Sequence, residues 1–200
     1  MNKNSYFQPV LLMTLVTTII LFGSCNSRQK SQDTIDVAQD RNEERFDDNR
    51  LRNDAQFLVN AAEINLRQIQ LGQLAKQRGT KTHIKELGKM MEDAHAKSQR
   101  DLTILARSKS ITIPTSTTDD ARDAFENLNR KSGDAFDKEY VEMMVSNNKD
   151  AIDTFEKAST DNHDSDIKNW ATTTLYDLRK HLDHSIDCQQ KTNDMAVRNR

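Results

Sequence analysis

Residues 54–75 read DAQFLVNAAEINLRQIQLGQLA, and their spacing decides the fold class. Phe57, Ala61, Ile64, Gln68, Leu71 and Ala75 step alternately by four and three, which places them on one face of an α-helix. Asn53 with Gln56 three positions later suggests a capping box at its start, and Gly79 suits the position just past its end. A second helix follows at once, with Ile84, Leu87, Met91, Ala94, His95, Ser98, Leu102 and Leu105 on its inner face.

The same period continues down the chain. Residues 110–118 form a loop holding Pro114, and Ala121, Phe125 and Leu128 make a short helix that breaks near Gly133. A third long helix carries Phe136, Tyr140, Met143, Met144, Asn147, Ala151, Phe155 and Ala158. A fourth carries Ile167, Ala171, Thr174, Leu178, His181, Ser185 and Cys188, with Asp164 and Asp166 favouring its N-terminus. Tight turns join the first pair and the last pair, so the pattern predicts two antiparallel hairpins forming an all-α four-helix bundle, with the short helix in the long connection.

Composition agrees. Five glycines and two prolines in 200 residues leave almost no turn chemistry for a protein of many short strands. A formal net charge of −2 argues against nucleic acid as a partner, which would demand a basic face. Hydrophobic content is 35%, below the usual average of about 45–50%, so the core must be economical.

The N-terminus reads as an address. Lys3 precedes an uncharged run from Val10 to Phe22, too short for a bilayer span of roughly 20 residues. The run ends Leu21-Phe22-Gly23-Ser24-Cys25, which resembles a bacterial lipoprotein signal and makes Cys25 the lipid-modified first residue of the mature chain. The other cysteine, Cys188, reads as a small core or surface residue. The bounds that follow are a signal peptide over 1–24, a part-helical polar tether over 25–50, a helical domain over 51–192 and a polar tail over 193–200. Asn26 after the cysteine favours the outer membrane over the inner one, with the domain in the periplasm or at the cell surface.

Hairpin arithmetic then ranks the polar residues by depth. With the first hairpin centred near residue 80, Gly72 lies level with Gly88 and Gln68 with Glu92, one turn from His95. Paired mid-helix glycines make sense if the two backbones approach closely there. With the second hairpin centred near residue 162, Asn148 lies level with Asp177, one turn from His181. Each long helix therefore brings polar groups inward at one depth: Gln68; Glu92 and His95; Asn147 or Asn148; Asp177 and His181. Two readings compete. Gln68, His95, Asn148 and His181 can form a buried hydrogen-bonded layer that fixes helix register. Alternatively, Glu92, His95, Asp177 and His181 can ligate a divalent metal, as Glu-x-x-His motifs do in ferritin-like carboxylate proteins. The amides favour the first reading, because a metal pair needs anionic oxygens, and no cofactor is expected. His83, His163 and His184 read as solvated, and Met90, Met91, Met143 and Met144 as core filler.

The stretch quoted above, with MMEDAHAKSQRDLTILARSKSITIP (90–114), FDKEYVEMMVSNNKDAIDTFEKA (136–158) and LRKHLDHS (178–185), resembles the exported bacterial family called domain of unknown function forty-one forty-two, over about residues 53–188. The resemblance implies a ferritin-like fold and an envelope location. It also implies a Glu in the first helix and a His in each of the next three. Here His95 and His181 match, while Gln68 and Asn148 replace the Glu and one His. The expectation is a membrane-anchored, non-enzymatic helical domain with an envelope-maintenance or binding role. The alternatives are a ferritin-like metal-binding protein or oxidase, and a module that docks a helical partner.

Overall fold

The computed structural model describes residues 34–198. All regular structure among them is helical: α1 (Thr34–Arg45), α2 (Asn49–Arg78), α3 (Thr82–Ser108), α4 (Asp119–Asn129), α5 (Gly133–Asp161) and α6 (Ser165–Arg198). Cys25 and the apolar run before it lie outside the described residues. Among the described helices, none is long and apolar enough to cross a membrane.

Helices α2 and α3 form one long hairpin, and α5 and α6 form the other. The glycine arithmetic holds. A Cβ on Gly72 would lie 2.6 Å from the Gly88 carbonyl oxygen, and one on Gly88 would lie 2.8 Å from that of Gly72. No side chain fits between these backbones, which is why two residues of poor helix propensity persist mid-helix. Gly79 ends α2 as expected, but with φ −56° and ψ 137°. It is required there by space, since a Cβ would sit 2.7 Å from both the Ala75 oxygen and Ile84 Cγ2.

One local expectation changes, and two helix bounds are added to the sequence reading. Helix α2 starts at Asn49 with Asp48 as its cap, accepting from the Arg50 amide, so Asn53 and Gln56 lie inside the helix and form no capping box. The second half of the polar stretch is helix α1, whose Ala38 and Asn42 are buried. Asn42 bonds both ways with the Thr112 backbone at 2.8 Å, tying α1 to the loop after α3. Finally, α6 runs on to Arg198, through most of the polar tail.

The two hairpins repeat one another. Asp54, Asn65, Ala75 and Ile84 have counterparts 83 positions later in Asp137, Asn148, Ala158 and Ile167, and every one of these residues is buried. The aspartates act across the pair. The Asp54 carboxylate accepts from the His163 and Asp164 amides in the α5–α6 turn, at 2.9 and 3.0 Å. Asp137 accepts from the Thr80 amide at 2.9 Å and the Thr80 hydroxyl at 2.5 Å in the α2–α3 turn. Each hairpin thus clamps the turn of the other, and each buried charge is compensated by hydrogen bonds.

The apolar core is split in two. One cluster holds Leu58, Ala61, Leu102, Ile152, Ala171 and Leu178 around an aromatic group. In that group, Phe57 meets Phe155 edge-on at 5.1 Å, and Trp170 lies 5.4 Å from Phe155. The other cluster holds Leu71, Leu87, Met91, Leu128, Phe136, Tyr140 and Met144, with Met90 and Met143 partly buried against it. Between them, each of the four long helices contributes polar side chains.

Candidate functional site: a buried polar layer

That polar level contains Asn65 and Gln68 from α2, His95 from α3, Asn148 from α5, and His181 and Ser185 from α6. All four residues singled out by helical spacing and hairpin arithmetic are in it, but none of them hydrogen-bonds another: His95 bonds Asn65, and Asn148 bonds Ser185 and the Met144 carbonyl. Gln68 and Asn148 are fully buried, while His95 and His181 keep 2% and 9% of their surface exposed. The His95 and His181 ring centroids are 5.4 Å apart, with their planes tilted by 52°.

The hydrogen bonds assign the His95 tautomer. Asn65 Nδ2 donates to Ser98 Oγ at 3.2 Å and to Gln99 Oε1 at 3.3 Å, which turns Asn65 Oδ1 toward His95 Nδ1 at 2.9 Å. A carbonyl oxygen can only accept, so His95 carries its proton on Nδ1 and presents a bare lone pair at Nε2. Across the layer, Asn148 Nδ2 donates to the Met144 carbonyl at 2.8 Å and to Ser185 Oγ at 3.3 Å. Ser185 in turn donates to the His181 carbonyl at 2.7 Å.

Both rings are neutral near pH 7. Burial pushes His95 down to about 3, with His181 and Arg67 adding in the same direction. Burial also lowers His181, and Asp177 opposes that shift. The layer keeps unpartnered buried atoms: His95 Nε2, His181 Nδ1, Asn148 Oδ1 and both polar ends of Gln68. Such atoms suit buried water, which typically makes about three hydrogen bonds.

The two acidic candidates are not part of the layer. Glu92 turns onto the α2 side of its hairpin, bonding Lys76 Nζ at 2.5 Å and Gln73 Nε2 at 3.1 Å. The Lys76 bond leads the causes that lower its pKa. Asp177 is exposed at the mouth of a cleft of about 290 Å³ that His95 and His181 also line. Among the described residues, no three His, Cys, Asp or Glu side chains gather as a metal site. The residues at the layer do not fit a carboxylate di-metal centre, because the inward groups are amides and neutral imidazoles.

The other candidates fall as follows. His163 and His184 are exposed. His83 is half-buried, with Nε2 3.0 Å from the Thr192 hydroxyl, because α6 continues far enough to cover it. Cys188 is half-buried, its thiol lies 3.7 Å from the His83 carbonyl, and burial pushes its pKa up, a setting for a packing thiol and not for a nucleophile. Helical spacing missed Asn65, although the 83-residue repeat pairs it with Asn148.

The model of the family described as domain of unknown function (DUF4142) matches residues 37–187. The chain belongs to this family. A solved structure, the crystal structure of a DUF305 fragment from Deinococcus radiodurans, superposes with a TM-score of 0.61 at 10% identity, covering 69% of this chain and 95% of that one. At such identity the likeness concerns the fold alone. No curated protein matches the chain. The family match runs from residue 37 in α1 to residue 187 in α6, so the polar layer lies wholly within it.

Proposed function

We propose that the mature chain is an envelope lipoprotein, held in a membrane through an acylated Cys25. In this reading its domain is a ferritin-like antiparallel four-helix bundle with a non-enzymatic role in binding or envelope maintenance. The observation that carries the non-enzymatic reading is the chemistry of the polar layer. At the level where all four long helices bring polar groups together, the groups are amides, a hydroxyl and neutral imidazoles. The Asn65–His95 and Asn148–Ser185 bonds each join the two helices of one hairpin, so a slip of one helix against its neighbour would strand these buried groups. The anchoring reading is supported by the Leu21-to-Cys25 signal and the polar residues that follow it.

Several acyl chains on one cysteine hold a protein firmly on a membrane, whereas a single chain binds marginally. Cys25→Ser is therefore expected to release the domain from the membrane fraction, or to block its processing, without altering its melting. A variant that stays in the membrane fraction as tightly as wild type, with the same mature mass, contradicts the anchor.

A further inference from the structure

One residue before Gln68 on α2, Arg67 lines a cleft of about 490 Å³ between α2, α4 and α5. Two of its lining residues carry a buried donor with no acceptor: Arg67 Nε and Asn147 Nδ2. Two of the three carboxylates that line it are engaged elsewhere. Glu63 accepts from the Thr118 amide and, at 2.9 Å, from its hydroxyl, and Glu139 pairs with Lys131 at 3.3 Å. Two buried N–H groups that share one cleft and lack acceptors call for a ligand that supplies oxygens.

The surroundings narrow the chemistry. A guanidinium presents a planar fork that matches a carboxylate. Glu63, Asp120 and Glu139 around the cleft disfavour a doubly charged phosphate more than a single carboxylate. Ala121, Ala124 and Met143 supply an apolar wall for an organic group of modest size. Asp120, in the first turn of α4, can face a positive end.

We propose that this cleft binds a small organic carboxylate of the amino acid or peptide C-terminus class, seated with its oxygens on Arg67 and Asn147. This goes beyond the anchoring reading and does not depend on it. Release of Cys25→Ser from membranes tests the anchor, while the titration below tests the cleft.

The experiment is an NMR titration of the full chain in non-ionic detergent, following the Arg67 Nε–H and Asn147 side-chain amide signals. The probes are N-acetylalanine, alanine, N-acetylalaninamide and inorganic phosphate. The expected result is saturable shifts of both signals with one of the carboxylates and none with the uncharged amide. N-acetylalanine binding more tightly identifies a peptide C-terminus, and alanine a free amino acid. Arg67→Gln should abolish the shift of the Asn147 signal. Arg67→Lys, which keeps the charge and loses the fork, should weaken binding about tenfold. If Arg67→Gln does not fold, Asn147→Ala takes its place, with weaker binding expected at the Arg67 signal. Equal response to the amide, tighter binding of phosphate, no saturable shift, or binding unchanged by these substitutions overturns the proposal.

Discussion

The His95 and His181 rings stand 5.4 Å apart at the level where the apolar core divides, and both are held neutral by burial. Two cations so close in a medium of low dielectric would repel strongly.

A pH dependence of stability follows from that pair. Both folded values lie below the ordinary 6.5, so from about 6.5 downward the unfolded chain binds protons that the folded chain refuses, for His95 as far as about 3. Stability therefore falls as pH drops through this window, by at most about 1.4 kcal/mol per pH unit for each ring. Half-buried His83 is lowered too and adds to the slope. Denaturant melts between pH 7 and 5 should show the decline, and His95→Gln should flatten it. An unchanged slope in the variant would show that His95 is not the group resisting protonation.

The glycine contact makes a prediction opposite in sign to helix propensity. An exposed mid-helix glycine gains about 1 kcal/mol when changed to alanine. At Gly72 the new methyl would meet backbone at 2.6 and 2.9 Å, and overpacking typically costs about 1–3 kcal/mol. Gly72→Ala and Gly88→Ala should both lower the melting temperature. A rise in either would mean that the hairpin is looser than described.

The end of α3 offers a stabilising change. Ser110 has φ 58°, the Ile111 amide donates to the Ala106 carbonyl at 2.9 Å, and the Ser110 amide donates to Arg107 at 3.1 Å. This is a Schellman ending with serine in the left-handed position that glycine prefers. Ser110→Gly should raise stability by about 1 kcal/mol, measured by chemical denaturation. Gly133, at φ 59° with open space around it, should behave in reverse, Gly133→Ala being destabilising.

The crossed aspartates should be costly to remove. Asp54→Ala strands the His163 and Asp164 amides, and Asp137→Ala strands the Thr80 amide. Each change should cost about 1–3 kcal/mol. Hydrogen exchange should locate the loss at the turn of the opposite hairpin. Exchange that rises only around the mutated residue would refute the cross-clamp.

Helical spacing was enough to place Gln68, His95 and His181 inside, because a 3.6-residue period reports which face is buried; in α5 it pointed to Asn147, whereas Asn148 is the fully buried one. Matching residue numbers across a turn reports depth along a helix but not rotation about it. Hence Gly72 and Gly88 meet, while Glu92, at the right depth, points toward Lys76. Asp54 and Asp137 were illegible for another reason. Their burial depends on where a turn from the other hairpin lands, and amphipathic spacing carries no trace of that. The bounds of helix α1 were not legible because only Ala38 and Asn42 in it are buried, too few to set a period. Arg67 lies one position off the inward face of α2, and only the packing of α4 and α5 makes it line a cleft.

The central claim, that the polar layer is a neutral register device, is tested most directly by the 15N chemical shifts of the His95 ring, followed from pH 7 to pH 4 in the full chain. The account requires Nδ1 protonated and Nε2 bare at pH 7, with no second proton taken up down to pH 4. A ring that becomes imidazolium near pH 6, or one that carries its proton on Nε2 at pH 7, would contradict it.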